Sequence, residues 1–381
     1  MNLVAGFVVF LALVGLIYQM AAVLALQRFC RRPLPRRHAG QTGGITLLKP
    51  LRGLDQDTPA CLASFLQQDY SPFQILFGVA DPNDPVLPVV YDLQAKHPEV
   101  DVQIIICPRH LGLNPKVSTL RQLMPHARYN LLVISDSDVR VSPQLLSHLA
   151  AALEEPEVGL TSCLYRAGPV STAGSALEAL AISADFIPSV AVAHYLEGIS
   201  FALGAVMAIR RQTLEQIGGF EVIADYLADD YQLGHRVRQA GWQVSVLPLV
   251  VATGQAQISL RGFLSHQLRW ARTYRVCRPR GFLGYGITFA LPWSLLAWFL
   301  SGLTAGGAGL VGACLLGRFL VAWRADQILG DGQLPRRFFC LLPLKDLISF
   351  ALWIISFGGD KIAWQGQHYR VRPDGRLETM Q

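Results

Sequence analysis

The chain has 381 residues, of which 51% are hydrophobic and only 16% charged, with a net charge of +6. An ordinary soluble domain carries about 25% charged residues, so a wholly water-soluble protein is excluded. The positive balance comes mostly from arginines beside apolar segments, which suit anionic lipid head groups and require no nucleic acid. The seven cysteines form no Cys-x-x-Cys pair and no zinc or disulfide spacing, which points to reduced thiols.

Residues 1–27 hold no charge, and 3–26 are long enough to cross a hydrocarbon core of about 30 Å as a helix. A basic start and a small-residue cleavage site are missing, so the segment reads as an anchor and not as a cleaved signal peptide. The stretch "RFCRRPLPRRHAG" follows, with Arg28, Arg31, Arg32, Arg36 and Arg37. By the positive-inside rule this end of the anchor lies in the cytoplasm.

Residues 40–281 alternate short apolar runs with amphipathic ones, the pattern of an α/β domain with a mostly parallel sheet flanked by helices. The strand candidates are "ITLLKPL", "FQILFGVA", "VQIIIC" and "NLLVISD", with helices expected at about 58–68, 85–96 and 116–123. Ligands of such sheets bind beyond the carboxyl ends of the strands. The polar residues fall there: "VADPNDP" after the second strand, "HLGLNPK" after the third, "SDSD" at the end of the fourth. Asp81 and Asp84 taken singly are ordinary turn chemistry, but three such loops along one sheet edge point to a site.

Asp136 and Asp138, at i and i+2 where the chain leaves a strand, can both turn toward one hard cation. Mg2+ or Mn2+ is commonly held by one or two carboxylates plus phosphate oxygens, so a nucleotide diphosphate is the natural other half. The competing reading is an Asx turn capping a helix that begins near Pro143. Further on, "YLADDYQLGHRVRQAGW" places Asp229 and Asp230 at the start of a helix ending around Gly241. Acids in a first turn serve the helix dipole. The functional alternative is a general base that takes the proton from an attacking hydroxyl.

The segment "SLRGFLSHQLRWARTYRVCRPRG" is a basic, aromatic helix running into a second uncharged span, 282–317. It serves either as an interfacial anchor or as a site in which Arg269 neutralises a departing diphosphate and Trp270 walls an acceptor pocket. The span carries "SGLTAGG" in its middle and reads as a two-helix hairpin over 282–323, with one tilted helix as the alternative. In 336–358, Lys345 and Asp346 interrupt the apolar run and the run after them is short, which favours an interfacial helix over a membrane helix, the alternative. Three crossings with the amino terminus outside leave 28–281 and the basic tail 359–381 in the cytoplasm.

The ordered set "LLKPLRG", "DPNDP", "GLNPK", "SDSDVRV", "GGF", "LADDYQLG" and "HQLRW" resembles the ceramide glucosyltransferase family, glycosyltransferases of the family 21 and family 2 type with a GT-A fold, over nearly the full length. Matched motif to motif, the family's three aspartates fall on Asp84, Asp136 and Asp230, and its closing Arg-Trp on Arg269 and Trp270. His266 stands where the family usually has Gln or Arg. The compact "HQLRWART" and "LADDYQLG" are most similar to the hopanoid-associated branch, which implies N-acetylglucosamine transfer to a hopanoid polyol.

Together these lines imply a multi-pass integral membrane enzyme, in a bacterial inner membrane, that moves a sugar from UDP-glucose or UDP-N-acetylglucosamine to the hydroxyl of a hopanoid or ceramide-type lipid with inversion. Asp84, Lys49, Asn114, Lys116 and Asp136 would bind the donor. Asp136 and Asp138 would hold the divalent cation, Asp230 would be the base, and His266, Arg269 and Trp270 would serve leaving group and acceptor. The alternatives are a polyprenyl-phosphate sugar transferase, whose already ionised acceptor needs no base, and a non-catalytic protein that binds nucleotide or lipid.

Overall fold

The computed structural model describes residues 3–36, 43–254, 257–330, 334–364 and 366–380. Arg37 of the arginine cluster lies outside the described residues. The chain opens with α1 (Leu3–Cys30), apolar over most of its length, without an acid in its first turn and with Arg28 in its last. The α/β region then winds β1 (Ile45–Leu51), α2 (Thr58–Leu66), β2 (Phe73–Val79), α3 (Leu87–Lys96), β3 (Asp101–Ile106), α4 (Pro115–Leu123) and β4 (Leu131–Ser135). Each of the expected strands and helices is present here, within one to two residues of its expected ends. β1 and β2 are buried along nearly their whole length, which is why they read as continuous apolar runs and not as alternating ones.

Next come β5 (Val139–Arg140), α5 (Leu145–Glu154), β6 (Val158–Ala167), α6 (Ala173–Ala181), a π turn (Ile182–Phe186), α7 (Ile187–Leu196), β7 (Val206–Arg210), α8 (Arg211–Gln216), α9 (Asp229–Gln239) and β8 (Gln243–Thr253). The eight strands form one sheet in the order β3-β2-β1-β4-β7-β6-β8-β5. The first four pair in parallel. β7 is antiparallel to both β4 and β6, so the sheet is mixed beyond β4. Between β1 and β4 the winding reverses direction, and there the loops at the carboxyl ends diverge to leave a crevice. Pro50 lies in β1 just past its last partner on β4, Leu48 opposite Ile134, where a missing N–H leaves no gap in that ladder.

α10 (Leu260–Cys277) leads into α11 (Pro279–Tyr285), α12 (Ala290–Leu300), α13 (Ala305–Gly330) and α14 (Leu342–Ser356). The hairpin expected over 282–323 has its turn between α12 and α13, at 301–304, and α13 continues to Gly330. Its first arm is broken: a bend of 57° separates the segment Pro279–Thr288 from α12. Among the described residues four helices are long and apolar enough to cross a membrane, Leu3–Cys30, Ala173–Leu196, Ala305–Gly330 and Arg336–Ser356, or five with the bent pair counted as one. The second of these was not anticipated. Of the two grounds for an interfacial α14, the charges and the short apolar run after them, the first is weakened: Lys345 and Asp346 are both buried in ion pairs.

α1 packs against α7, α12 and α13. The close approach is at Gly15, where a Cβ would stand 2.8 Å from the Ile287 carbonyl oxygen and 3.0 Å from the Ala290 nitrogen. One turn on, Gln19 Nε2 donates to the Thr288 carbonyl at 3.0 Å, meeting a backbone group that the bend leaves without a helical partner.

The tail expected to be merely basic forms a sheet of its own, β9 (Lys361–Trp364), β10 (Gln367–Val371) and β11 (Leu377–Thr379). Its sequence signal was the Pro-Asp-Gly turn after β10, with Tyr369 and Val371 inward and Arg370 and the exposed Arg372 outward. Leu377 N–H bonds the Asp225 carbonyl at 2.7 Å, joining this sheet to the segment that leads into α9.

Candidate active site

The end of β4 is held from three sides. Lys49, fully buried, places its ammonium 2.9 Å from the Asp136 carbonyl and 3.3 Å from the Ser135 hydroxyl, over the Phe65 ring at 3.6 Å. Burial pulls this ammonium down to about 7 despite Asp136 and Asp138 nearby. Asp136 N–H donates to the Ala205 carbonyl at 3.3 Å, and the Asp138 carbonyl accepts from Gly254 N–H at 2.6 Å. The Asp136-Ser137-Asp138 turn is thus a rigid corner. It does not cap the next helix, since the residue preceding α5 is Gln144 and no side chain caps it.

Lys116, in the first turn of α4, reaches out of its helix to two carboxylates: Asp136 Oδ1 at 2.8 Å and Asp229 Oδ2 at 3.1 Å. Burial alone would lower its ammonium, but Asp136 and Asp229 outweigh that and raise it. α4 is set by Asn114, which caps it by accepting from Val117 N–H at 3.2 Å while its amide donates to the Tyr226 carbonyl at 2.8 Å. Asn114 is fully buried, and its cap fixes the start of the helix that carries Lys116. Asp84 likewise serves backbone: both its oxygens accept from Gly53 N–H, at 3.0 and 2.9 Å, and one accepts from Val86 N–H at 2.9 Å. It ties the loop after β1 to the start of α3. Asp81 forms a plain Asx turn with Asn83 N–H at 2.9 Å.

Asp229 and Asp230 open α9 toward the same corner. Asp229, in the first turn of α9, also gives its carboxylate to the Lys116 ammonium. Asp230 Oδ1 accepts from Tyr231 N–H at 2.7 Å, a donor that the first helical turn leaves unpaired. Burial first, and then the neighbouring Asp229, push the Asp230 carboxyl well above the ordinary carboxylate range. Gly204, in the loop before β7, faces Asp230: a Cβ there would lie 3.0 Å from Asp230 Oδ2.

On the other side stands α10, started by Ser259, which accepts from Gly262 N–H at 3.1 Å. His266 Nδ1 shares a 2.8 Å hydrogen bond with Glu178 Oε1, and Gln267 donates to Glu178 Oε2 at 3.0 Å. His266 packs on Trp270, Trp270 on Phe186 and Phe186 on Tyr165, with ring centroids 4.7, 5.4 and 5.6 Å apart. Burial and the carboxylates of Asp230, Glu178, Asp136 and Asp138 raise the Tyr165 phenol, so this ring stands among both acidic groups of the site. The Arg269 guanidinium lies 6.0 Å over the Trp364 ring and forms no ion pair among the described residues. Burial lowers it, against the pull of Glu178.

The structure therefore gathers Lys116, Asp136, Asp229 and Asp230 into one chain of contacts, with Asp138 two residues from Asp136. Lys49, Asp84 and Asn114 hold its framework. Sequence reasoning missed Glu178, Tyr165, Phe186, Gly204 and the ion pair of Asp229. Only Glu178 carried a signal: it is the single charge in residues 167–184, and a lone acid among small apolar residues is buried only with partners.

The donor set at the corner fits a hard divalent cation. Burial and the adjacent Asp136 push the Asp138 carboxyl up to about 7, the cost of two acids sharing one turn, which a cation would relieve. Among the described residues no three His, Cys, Asp or Glu side chains gather as a metal site. Two carboxylates with the remaining ligands from water and phosphate is the usual arrangement for Mg2+.

This mixed sheet, with its acidic corner at the switch point, is the fold of GT-A glycosyltransferases. A mannosyltransferase from Pyrobaculum calidifontis, solved with GDP-mannose and Mn2+, matches it with a TM-score of 0.57 at 18% identity, over 93% of this chain and 99% of that one. The protein is a glycosyltransferase. It belongs to glycosyl transferase family 21, whose profile it matches over residues 7–377. Its sequence is similar to ceramide glucosyltransferase 1 of Caenorhabditis elegans, 25% identical over 60% of this chain and 49% of that protein. It is also similar to ceramide glucosyltransferase 3 of the same organism, 22% identical over 88% of this chain and 74% of that protein. A 38% identical match to the ceramide glucosyltransferase of Candida albicans covers 29% of this chain and 22% of that protein. The chain thus spans about half the length of the first of these relatives.

Proposed function

We propose that the protein transfers a sugar from a UDP-sugar to the hydroxyl of a membrane lipid with inversion, with Asp230 as the general base. The observation that carries this reading is Asp230 itself: a carboxyl raised toward neutrality, at a helix start linked through Asp229 and Lys116 to the acidic corner of the sheet. A base works best when its affinity for protons is near that of the medium. The similarity to ceramide glucosyltransferases supports a lipid acceptor, either ceramide-type or a hopanoid polyol.

In this mechanism the crevice between the β1 and β4 loops takes the nucleotide, with Asp84 keeping the Gly53 loop in place. Asp136 and Asp138 hold Mg2+ or Mn2+, which supplies positive charge to the diphosphate. Lys116 adds a fixed ammonium at the same place. The lipid hydroxyl enters beside the Trp270 wall and gives its proton to Asp230, and its oxygen bonds the anomeric carbon from the face opposite the departing UDP. Arg269, with no carboxylate partner among the described residues, is free to neutralise the leaving diphosphate, and such charge stabilisation is commonly the largest catalytic term. The α/β region faces the cytoplasm, where Arg28, Arg31, Arg32 and Arg36 end the first span.

The test offers the purified full chain UDP-glucose, UDP-galactose and UDP-N-acetylglucosamine with ceramide, a hopanoid polyol and a polyprenyl phosphate, and weighs the products. One sugar added to a hydroxyl lipid is expected. Product on the phosphate lipid alone overturns the reading.

A further inference from the structure

Four charged side chains meet behind the aromatic wall, within helices apolar enough to cross a membrane. Arg318 of α13 pairs with Asp346 of α14 at 2.9 Å and with Asp185 of the π turn, and Lys345 pairs with Asp346 at 2.8 Å and with Asp185. Arg318 and Lys345 are 2% and 1% exposed. Charges in such helices are costly and mark function by default. The four sum to zero, so they attract no net charge. The adjoining cavity, lined by Tyr18, Gln19 and Thr288 among others, has a volume of about 20 Å3. That admits one water and no lipid head group, so a ligand site is the weaker explanation.

The backbone gives the stronger one. Pro188 has no N–H to return to the Ala184 carbonyl four residues earlier, and its ring crowds that oxygen. The helix widens there: Ile187 N–H bonds the Ile182 carbonyl, five residues back. The freed Ala184 oxygen accepts from Arg318 Nη1 at 3.1 Å. Arg318 and Lys345 thus grip the π turn by one carbonyl and one carboxylate. Phe186, the residue after Asp185 and the last of the turn, packs on Trp270 and Tyr165.

We infer that the Asp185–Arg318–Lys345–Asp346 cluster is a positioning device that fixes Phe186 against Trp270 and so governs recognition of the lipid acceptor, leaving donor binding untouched. The inference rests on the proposed reading for its acceptor, but the placement of Trp270 is measurable without it. Removing Asp185 alone leaves an unpaired buried cation and endangers folding, so the test uses the charge-neutral pair Asp185→Asn with Lys345→Met. The full chain is labelled with 5-fluorotryptophan, and the Trp270 fluorine signal is assigned with Trp270→Phe. In the double variant that signal should shift as it does in Phe186→Ala. Acceptor KM should rise roughly tenfold, the scale of one lost aromatic contact, while donor KM stays within twofold. Adding Phe186→Ala to the double variant should raise acceptor KM no further. A Trp270 signal that stays put, a donor KM that rises with the acceptor's, or effects that simply add would each overturn the inference. A parent enzyme that glycosylates only phosphate lipids, with the Trp270 shift intact, would overturn the proposed function and leave the cluster's role standing.

Discussion

Gly204 and Asp230 stand so close that a single methyl group on the glycine would fall 3.0 Å from the carboxylate oxygen Oδ2. Gly204→Ala should therefore displace the proposed base without touching the nucleotide crevice. A displacement of about 1 Å can cost a hundredfold in rate, so the few tenths of an ångström demanded here should lower kcat several-fold with donor KM little changed. Steady-state kinetics on both substrates checks this, and an unchanged kcat would place the base elsewhere.

Asp230→Asn keeps the side chain's shape and removes its proton acceptance. Transfer should drop by roughly two to four orders of magnitude, while nucleotide and metal binding, measured by calorimetry, persist. A near-parental rate on a hydroxyl acceptor would remove Asp230 from the mechanism.

The same substitution has a signature in stability. An aspartate in the unfolded chain titrates near 3.9, whereas folding raises the Asp230 carboxyl, chiefly by burial. Its native interactions thus favour the protonated form, and stability is lost as pH rises from the unfolded value through the folded one. Asp230→Asn should match the parent's unfolding free energy near pH 4 and exceed it toward neutrality, by a gap of roughly 2–4 kcal/mol. A gap that shrinks with rising pH would contradict the assignment.

Lys116 joins Asp136 to Asp229 across the crevice. Lys116→Met leaves both carboxylates facing each other without their shared cation and should cost about 1–3 kcal/mol in urea unfolding, with donor KM raised. Asp229→Asn removes one of the two pairs and should fall between this variant and the parent. If Asp229→Asn is silent, the ion pair contributes nothing.

Transfer should stop on thorough chelation and return with Mg2+ or Mn2+. Asp138→Asn should raise the metal concentration needed for half-maximal rate more than it changes acceptor KM. Full activity in chelator would refute a metal-dependent mechanism.

The first half of the α/β domain was legible because its strands are buried on both faces and its loops carry Gly, Pro and Asp where turns need them. Asp136, Asp138, Asp229 and Asp230 stood out for the same reason, as acids adjoining apolar runs. Asp84 and Asn114 stood out too, but their hydrogen bonds are with backbone amides and carbonyls, which no side-chain pattern encodes. Glu178 meets His266 across 88 residues, and β7 inserts antiparallel beside β4 through pairing partners far apart in the chain. Such long-range choices leave no local period. Pro188 was visible throughout, but its consequence appeared only with the Arg318 guanidinium sitting on the carbonyl it frees.

The contact at Gly15 gives α1 a part beyond being long and apolar enough to cross a membrane. Because its backbone lies directly on the Ile287–Ala290 bend and Gln19 fills a vacant bond there, the first helix is the missing wall of a notch built much later in the chain. An unrelated apolar segment of equal length would still deliver the enzyme to the membrane. It would arrive with that notch open, so α1 is matched to this one protein and is not interchangeable among anchors.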